Sequence, residues 1–185
     1  MNLVLEAIQA RCTCRDFNGR PVEREKLEDI ARAGLQAPSA MNLQRWRIIG
    51  ITDKQLVDEM DAAALAFLVE RGDSAVLQRI RERGGRVLYN ASALFLVLLD
   101  QVGDFSPELD CGIVVENMAL AATALGLSSD INAMCSMALQ GIGAENLRER
   151  LYWPEGFKFA IGLLVGYTDH EGCPHEIDER KLIWV

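Results

Sequence analysis

Apolar residues along this chain recur with two different periods, and the switches between them outline the secondary structure. Residues 2–10 place Leu3, Ala7 and Ile8 on one face of a short helix. After Pro21, the residues Leu27, Ile30, Ala31, Gly34 and Leu35 recur at three- and four-residue steps, with Glu23, Arg24, Lys26 and Asp29 opposite. That is an amphipathic helix, and it must end before Pro38, because proline disfavours helical geometry in the residue preceding it. WRIIGIT over 46–52 predicts a strand. Residues 54–72 and 74–88 predict two helices, the second weakened near its end by Gly84 and Gly85. The unbroken run LFLVLL at 94–99 predicts a strand covered on both faces.

The segment 109–127, LDCGIVVENMALAATALGL, is apolar on nearly every side of a helix and stops at Gly126. Asp110, Glu116 and Asn117 within it, and the lack of flanking basic clusters, argue against a membrane span. A helix apolar all round must be buried. A chain of 185 residues has little room to surround one, so part of the cover is expected from a second copy, which predicts a homodimer. A short helix around 144–151 and a strand at 158–165 (KFAIGLLV) follow, then a polar tail that ends in the apolar LIWV. Helices and strands intermix without regular βαβ alternation, which predicts a single α+β domain over 1–185.

Composition narrows the function classes. Hydrophobic residues make up 50% and charged residues 25%, the balance of a packed globular chain. Acids outnumber bases 27 to 19, for a net charge of −8, which disfavours a nucleic-acid binder. The start of the chain carries Glu6 in its apolar stretch and no basic region ahead of it, unlike a secretory signal. Five cysteines with no CxxC pair predict a reducing cytoplasm and no standard zinc or thioredoxin motif. Cys12-x-Cys14 and His170…Cys173…His175 are the only other groupings with metal or redox chemistry, and no metal site is expected from them.

There is no GxSxG, Walker loop, GxGxxG or HExxH, and the only two histidines sit in the tail, which disfavours a His-based triad and leaves hard chemistry to a bound cofactor. Two clusters remain. In Arg11-Cys12-Thr13-Cys14-Arg15 an extended backbone puts Arg11, Thr13 and Arg15 on one side, a pair of guanidinium forks around a hydroxyl that suits a phosphate, unless it is a solvated basic turn. Ala37 to Trp46, APSAMNLQRW, joins a helix to a strand. Its small residues permit close approach and its two amides can grip a planar heterocycle, unless Asn and Gln merely serve a turn.

RCTCRDF followed by APSAMNLQRW resembles the nitroreductase family of FMN-dependent oxidoreductases. ENMALAATALGLSS and IGLLVGY extend the resemblance over almost the whole chain. It implies a central, mostly antiparallel sheet wrapped by helices in an intertwined homodimer with FMN at the interface. It implies that Arg11, Thr13 and Arg15 hold the FMN phosphate and ribityl chain. Pro38, Ser39 and Ala40 would approach the ring from the partner subunit, with Asn42 and Gln44 beside it. The stretch Ser128 to Met134, read as a loop, would present a backbone N–H to flavin N5, from Ala133. Arg86 would stand by the pyrimidine edge.

Four positions depart from the family pattern. Arg45 replaces a proline, Thr13 a serine, and His175 stands about where the family brings a Lys or Arg to the phosphate. Imidazole titrates near about 6.5 when unperturbed, so such a site would depend on pH. Asp130 adds negative charge near N5. The activity implied is transfer of electrons from NADH or NADPH through bound FMN to a small acceptor such as a nitroaromatic or quinone, with no catalytic side chain. The alternative is a non-catalytic flavin-binding or flavin-sensing homodimer.

Overall fold

The computed structural model describes residues 2–100 and 107–185, and every candidate residue named above lies within them. The elements are α1 (Leu3–Ala10), α2 (Arg24–Leu35), β1 (Trp46–Ile51), α3 (Lys54–Arg71), α4 (Ser74–Glu82), β2 (Ala93–Asp100), α5 (Pro107–Ala124), β3 (Ser128–Asn132), α6 (Ala144–Arg150) and β4 (Phe157–Gly166). Short 3₁₀ turns stand at Ala40–Asn42, Ala133–Leu139 and Glu179–Lys181. The strands form one sheet in the order β1-β2-β4-β3, with every neighbouring pair antiparallel. This is the α+β architecture that the pattern predicts.

Strand β2 explains the layering. Successive side chains of a strand point to opposite faces. Leu94, Leu96 and Leu98 therefore pack on one side with Met60, Ala64 and Leu68 of α3. Phe95, Val97 and Leu99 pack on the other with Leu27 and Ile30 of α2 and Val114 and Met118 of α5. Each such aliphatic side chain stabilises the fold by about 1.5–3 kcal/mol when fully buried.

Helix α5 buries Val114, Val115, Met118, Ala119 and Ala122. Elsewhere around it Ile113 and Leu120 are half-buried, and Gly112 and Ala124 are exposed. One chain thus covers part of a helix that is apolar on all sides. The helix ends as expected: Gly126 adopts φ 74°, and Leu127 N–H donates to the Ala122 carbonyl at 2.9 Å. The outer side of α1 leaves Leu3, Val4, Leu5 and Ile8 exposed, and the tail leaves Ile177, Leu182, Ile183 and Trp184 exposed. Among the described residues no helix is long and apolar enough to cross a membrane.

Two local expectations are corrected. Residues 128–132, read as part of a loop, form β3, paired residue for residue with β4 from Ser128↔Gly166 to Asn132↔Gly162. SSDIN has no apolar alternation, so the ladder to β4 and not side-chain pattern makes it a strand. Helix α4 stops at Glu82 instead of reaching 88, because Gly84 and Gly85 take φ 87° and 77° and Gly85 N–H closes back on the Ile80 carbonyl at 2.9 Å.

Gly162 of β4 faces the turn after β3. A Cβ there would lie 2.6 Å from Cys135 Sγ and 3.0 Å from the Asn132 carbonyl oxygen. Gly162→Ala is expected to lower stability by about 1–3 kcal/mol, read from the denaturant midpoint.

Candidate functional site

The basic segment lies along the free edge of β3. The chain leaves α1 at Arg11 in an extended conformation, Thr13 forms a parallel bridge with Ser129, and Cys14 N–H donates to the Ser129 carbonyl at 2.9 Å. Arg11 Nε stands 3.5 Å from Glu116 Oε1 of α5, a partly exposed pair that ties the segment to that helix. Further on, Phe17 N–H reaches the Tyr89 carbonyl at 3.1 Å, which anchors the segment to the turn before β2.

Asp130 of β3 is 3% exposed. Burial pushes its carboxyl above the ordinary range, opposed by the Asn132 amide, which donates at 2.8 Å, and by the charges of Arg15 and Arg83. The cluster thus sets a buried acid among bases on the β3 edge. Arg83 has no motif around it, and the only signal for it in the sequence is its place beside the Gly84-Gly85 turn. Asn132 turns the chain after β3: its side-chain oxygen accepts from Cys135 N–H at 3.1 Å. Ala133 opens that turn, and the first N–H groups of a helical turn have no partner within it.

The second cluster sits elsewhere. The loop after α2 takes Met41, Asn42 and Gln44 to φ 52°, 56° and 48°. Left-handed backbone in non-glycine residues is uncommon and costs about 1–3 kcal/mol each in the least tolerant cases. Three hydrogen bonds to side chains help to hold it. Gln44 N–H donates to Ser39 Oγ at 3.0 Å, Gln44 Nε2 to Asn42 Oδ1 at 2.9 Å, and Ala40 N–H to Asp110 Oδ1 at 3.3 Å. Pro38, Ser39, Ala40, Asn42 and Gln44 therefore form one rigid unit anchored on α5. Arg45, the departure from the motif, pairs with Asp100 across the β1–β2 ends at 3.4 Å.

The loop feeds β1, one edge of the sheet, whereas Arg11, Thr13, Arg15 and Ala133 gather at β3, the other edge. Three strand spacings, about 14 Å, separate these edges, and α5 covers the face between them. Within one chain the two clusters do not meet.

Arg86 and His175 complete the set. The Arg86 guanidinium donates to Asn90 Oδ1 at 2.6 Å and Asp58 Oδ1 at 2.8 Å, and lies 3.5 Å from Asp61 Oδ2. These contacts tie the turn before β2 to α3, and the half-exposed guanidinium, with five N–H donors in all, keeps others for a ligand. His175 is exposed on the tail, three residues beyond Gly172, whose backbone rests on Cys12 Sγ. Among the described residues no group of three or more His, Cys, Asp or Glu is placed to hold a metal.

Because burial raises the Asp130 carboxyl, the folded chain keeps this proton to higher pH than the unfolded chain. Its contribution is complete below the ordinary value of 3.8 and is lost as pH rises through the folded value. Asp130→Asn, with no carboxylate to bury, is expected to gain stability relative to the parent as pH rises above about 4, measured as the difference in denaturant midpoint.

The chain resembles known proteins along its full length. A nitroreductase with bound FMN from Desulfitobacterium hafniense is 39% identical, covers 100% of this chain and 99% of its own, and superposes with a TM-score of 0.94. The NADPH-flavin oxidoreductase of Vibrio harveyi is 28% identical over 174 residues, 91% of this chain and 67% of its own. A Bacteroides fragilis nitroreductase with bound FMN, 24% identical over the whole of both chains, shares the fold with a TM-score of 0.86. The model of the nitroreductase family matches residues 8–167, and the chain belongs to that family.

Proposed function

We propose that this protein is an FMN-dependent oxidoreductase that passes electrons from NADH or NADPH to a small acceptor such as a nitroaromatic or quinone. The observation that carries the reading is the extended Arg11–Arg15 segment on the β3 edge, beside the turn that Ala133 opens, in a fold shared with an FMN-bound nitroreductase. The donor set fits the cofactor: guanidinium forks and a hydroxyl match a phosphate, and a backbone N–H at the start of a helical turn matches a ring nitrogen.

Bound FMN would supply the chemistry, accepting a hydride from a nicotinamide and delivering electrons to the second substrate. The chain binds and orients it. Arg11 and Arg15 hold the phosphate and ribityl chain with Thr13 between them, and Ala133 N–H donates to the ring. Asp130 sets a buried carboxyl near that contact, and its ionised form disfavours added electron density there. His175 extends the phosphate contacts from the tail, and Arg86 braces the turn at the pyrimidine edge. No side chain is assigned as an acid or base.

The remaining contacts come from a second copy. Pro38, Ser39, Ala40, Asn42 and Gln44 stand at the far edge of the sheet from Arg11, so one ring touching both clusters needs two chains, the intertwined homodimer. Supporting this are the exposed apolar residues of α1 and the tail, and an apolar groove of about 450 Å³ along β1 and α2, lined by Leu27, Ala31, Leu35, Trp46 and Ile48. The five free cysteines, Cys111 and Cys135 among them buried, agree with a reducing cytoplasm. The non-catalytic flavin-binding or flavin-sensing reading is not favoured, because the relatives with named activities are oxidoreductases.

Purified protein soaked with FMN should keep flavin absorbance bands through gel filtration, and anaerobic NADH or NADPH should bleach them, with quinone restoring them. A colourless protein after soaking, or bands that neither nicotinamide bleaches, would refute the reading. Arg15→Ala is expected to weaken FMN binding about tenfold or more, as the loss of a charge-assisted hydrogen bond implies, measured by fluorescence titration.

A further inference from the structure

The tail after β4 runs back along the basic segment. Asn18 N–H donates to the Tyr167 carbonyl at 2.9 Å, and Asn18 Nδ2 to Asp169 Oδ1 at 2.8 Å. His170 Nε2 lies 2.8 Å from Asp16 Oδ2. At the far end of this antiparallel run, a Cβ built on Gly172 would lie 2.2 Å from Cys12 Sγ, so that thiol already touches the backbone one residue before Cys173. Neighbouring Cα atoms are about 3.8 Å apart, and disulfides span Cα separations of about 4.4–6.8 Å, so a small shift of the tail joins the two sulfurs.

The five thiols are not equivalent. Cys111 and Cys135 are buried, and burial pushes Cys111 up to about 11 and Cys135 higher. The Cys14 thiol is desolvated and turned to the Asp16 carbonyl at 3.4 Å. Cys173 is exposed and makes one weak contact, to the Pro174 carbonyl at 3.6 Å, which a rotation about χ1 releases. Oxidation follows the accessible thiolate.

We propose that Cys12 and Cys173 form a reversible disulfide that fastens the tail across the Arg11–Arg15 segment. Hydrogen peroxide is the oxidant. The Cys173 thiolate attacks the peroxide, whose O–O bond breaks, and becomes a sulfenic acid with release of one water. The Cys12 thiolate then attacks Cys173 Sγ, the S–S bond forms and the sulfenic oxygen leaves as a second water. Both sulfurs together give two electrons to the peroxide, and a dithiol reductant reverses the change.

The bond limits departure of the tail. The consequence for FMN rests on the function proposed above; the bond itself does not.

The test treats the full-length protein with hydrogen peroxide, alkylates free thiols and maps disulfide-linked peptides. The expected result is a Cys12–Cys173 peptide pair, absent in Cys173→Ser and removed by dithiothreitol, with three thiols left free. In protein that retains FMN, oxidation slows FMN release about tenfold, or ~1.4 kcal/mol of opening free energy, and Cys173→Ser shows no such slowing. Five thiols still free, a Cys12–Cys14 pair, or Cys173 joined to Cys173 of another chain would overturn the pairing. A Cys12–Cys173 pair with unchanged FMN release would overturn its role at the segment. Protein that takes up no FMN fails the oxidoreductase reading while the peptide map still decides the bond.

Discussion

The double burial of β2 is the constraint on which the rest of the structure depends. A strand with Leu94, Leu96 and Leu98 on one side and Phe95, Val97 and Leu99 on the other cannot lie at a surface. It requires a layer of helices on each face, and it takes neighbours on both of its sides, β1 and β4. The positions of α3 on one face and of α2 with α5 on the other follow from it. So does the location of chemistry: with the faces closed, polar groups that bind a ligand are left to the sheet's edges.

Most of this frame was legible in the sequence because it is written in apolar periodicity. Helix α2, helix α5 with its stop at Gly126, and strands β1, β2 and β4 all announce themselves that way. What escaped is what side-chain pattern does not encode. SSDIN becomes a strand through its backbone ladder to β4, and two glycines with positive φ end α4 early. Both misses border the candidate site, where polar residues replace the apolar ones that make a pattern readable.

The site itself was legible in parts. The order of the two motifs pointed to candidate residues, and geometry added how several are held: Arg11 by Glu116, the loop at Ala40 by Asp110, and Arg45 by Asp100. The Arg45–Asp100 pair gives the departure from the motif's proline a structural place, because it ties the loop's end to β2. Arg83 and the commitment of Arg86 to Asp58 and Asp61 were not legible, since they depend on which way the turn before β2 presents its side chains. The burial of Asp130 was equally hidden, because it depends on β3 being enclosed between β4 and the Arg11–Arg15 segment.

The separation of the two motifs onto opposite edges of one sheet has a genetic consequence. In the homodimer proposed above, each of the two ligand sites would take Arg15 from one chain and Asn42 from the other. A subunit damaged at Arg15 and a subunit damaged at Asn42 would each be inactive alone. Mixed, they would assemble one site carrying both lesions and one carrying neither, so half of the sites in every such hybrid would work. Two defective alleles of a single gene would thereby complement each other.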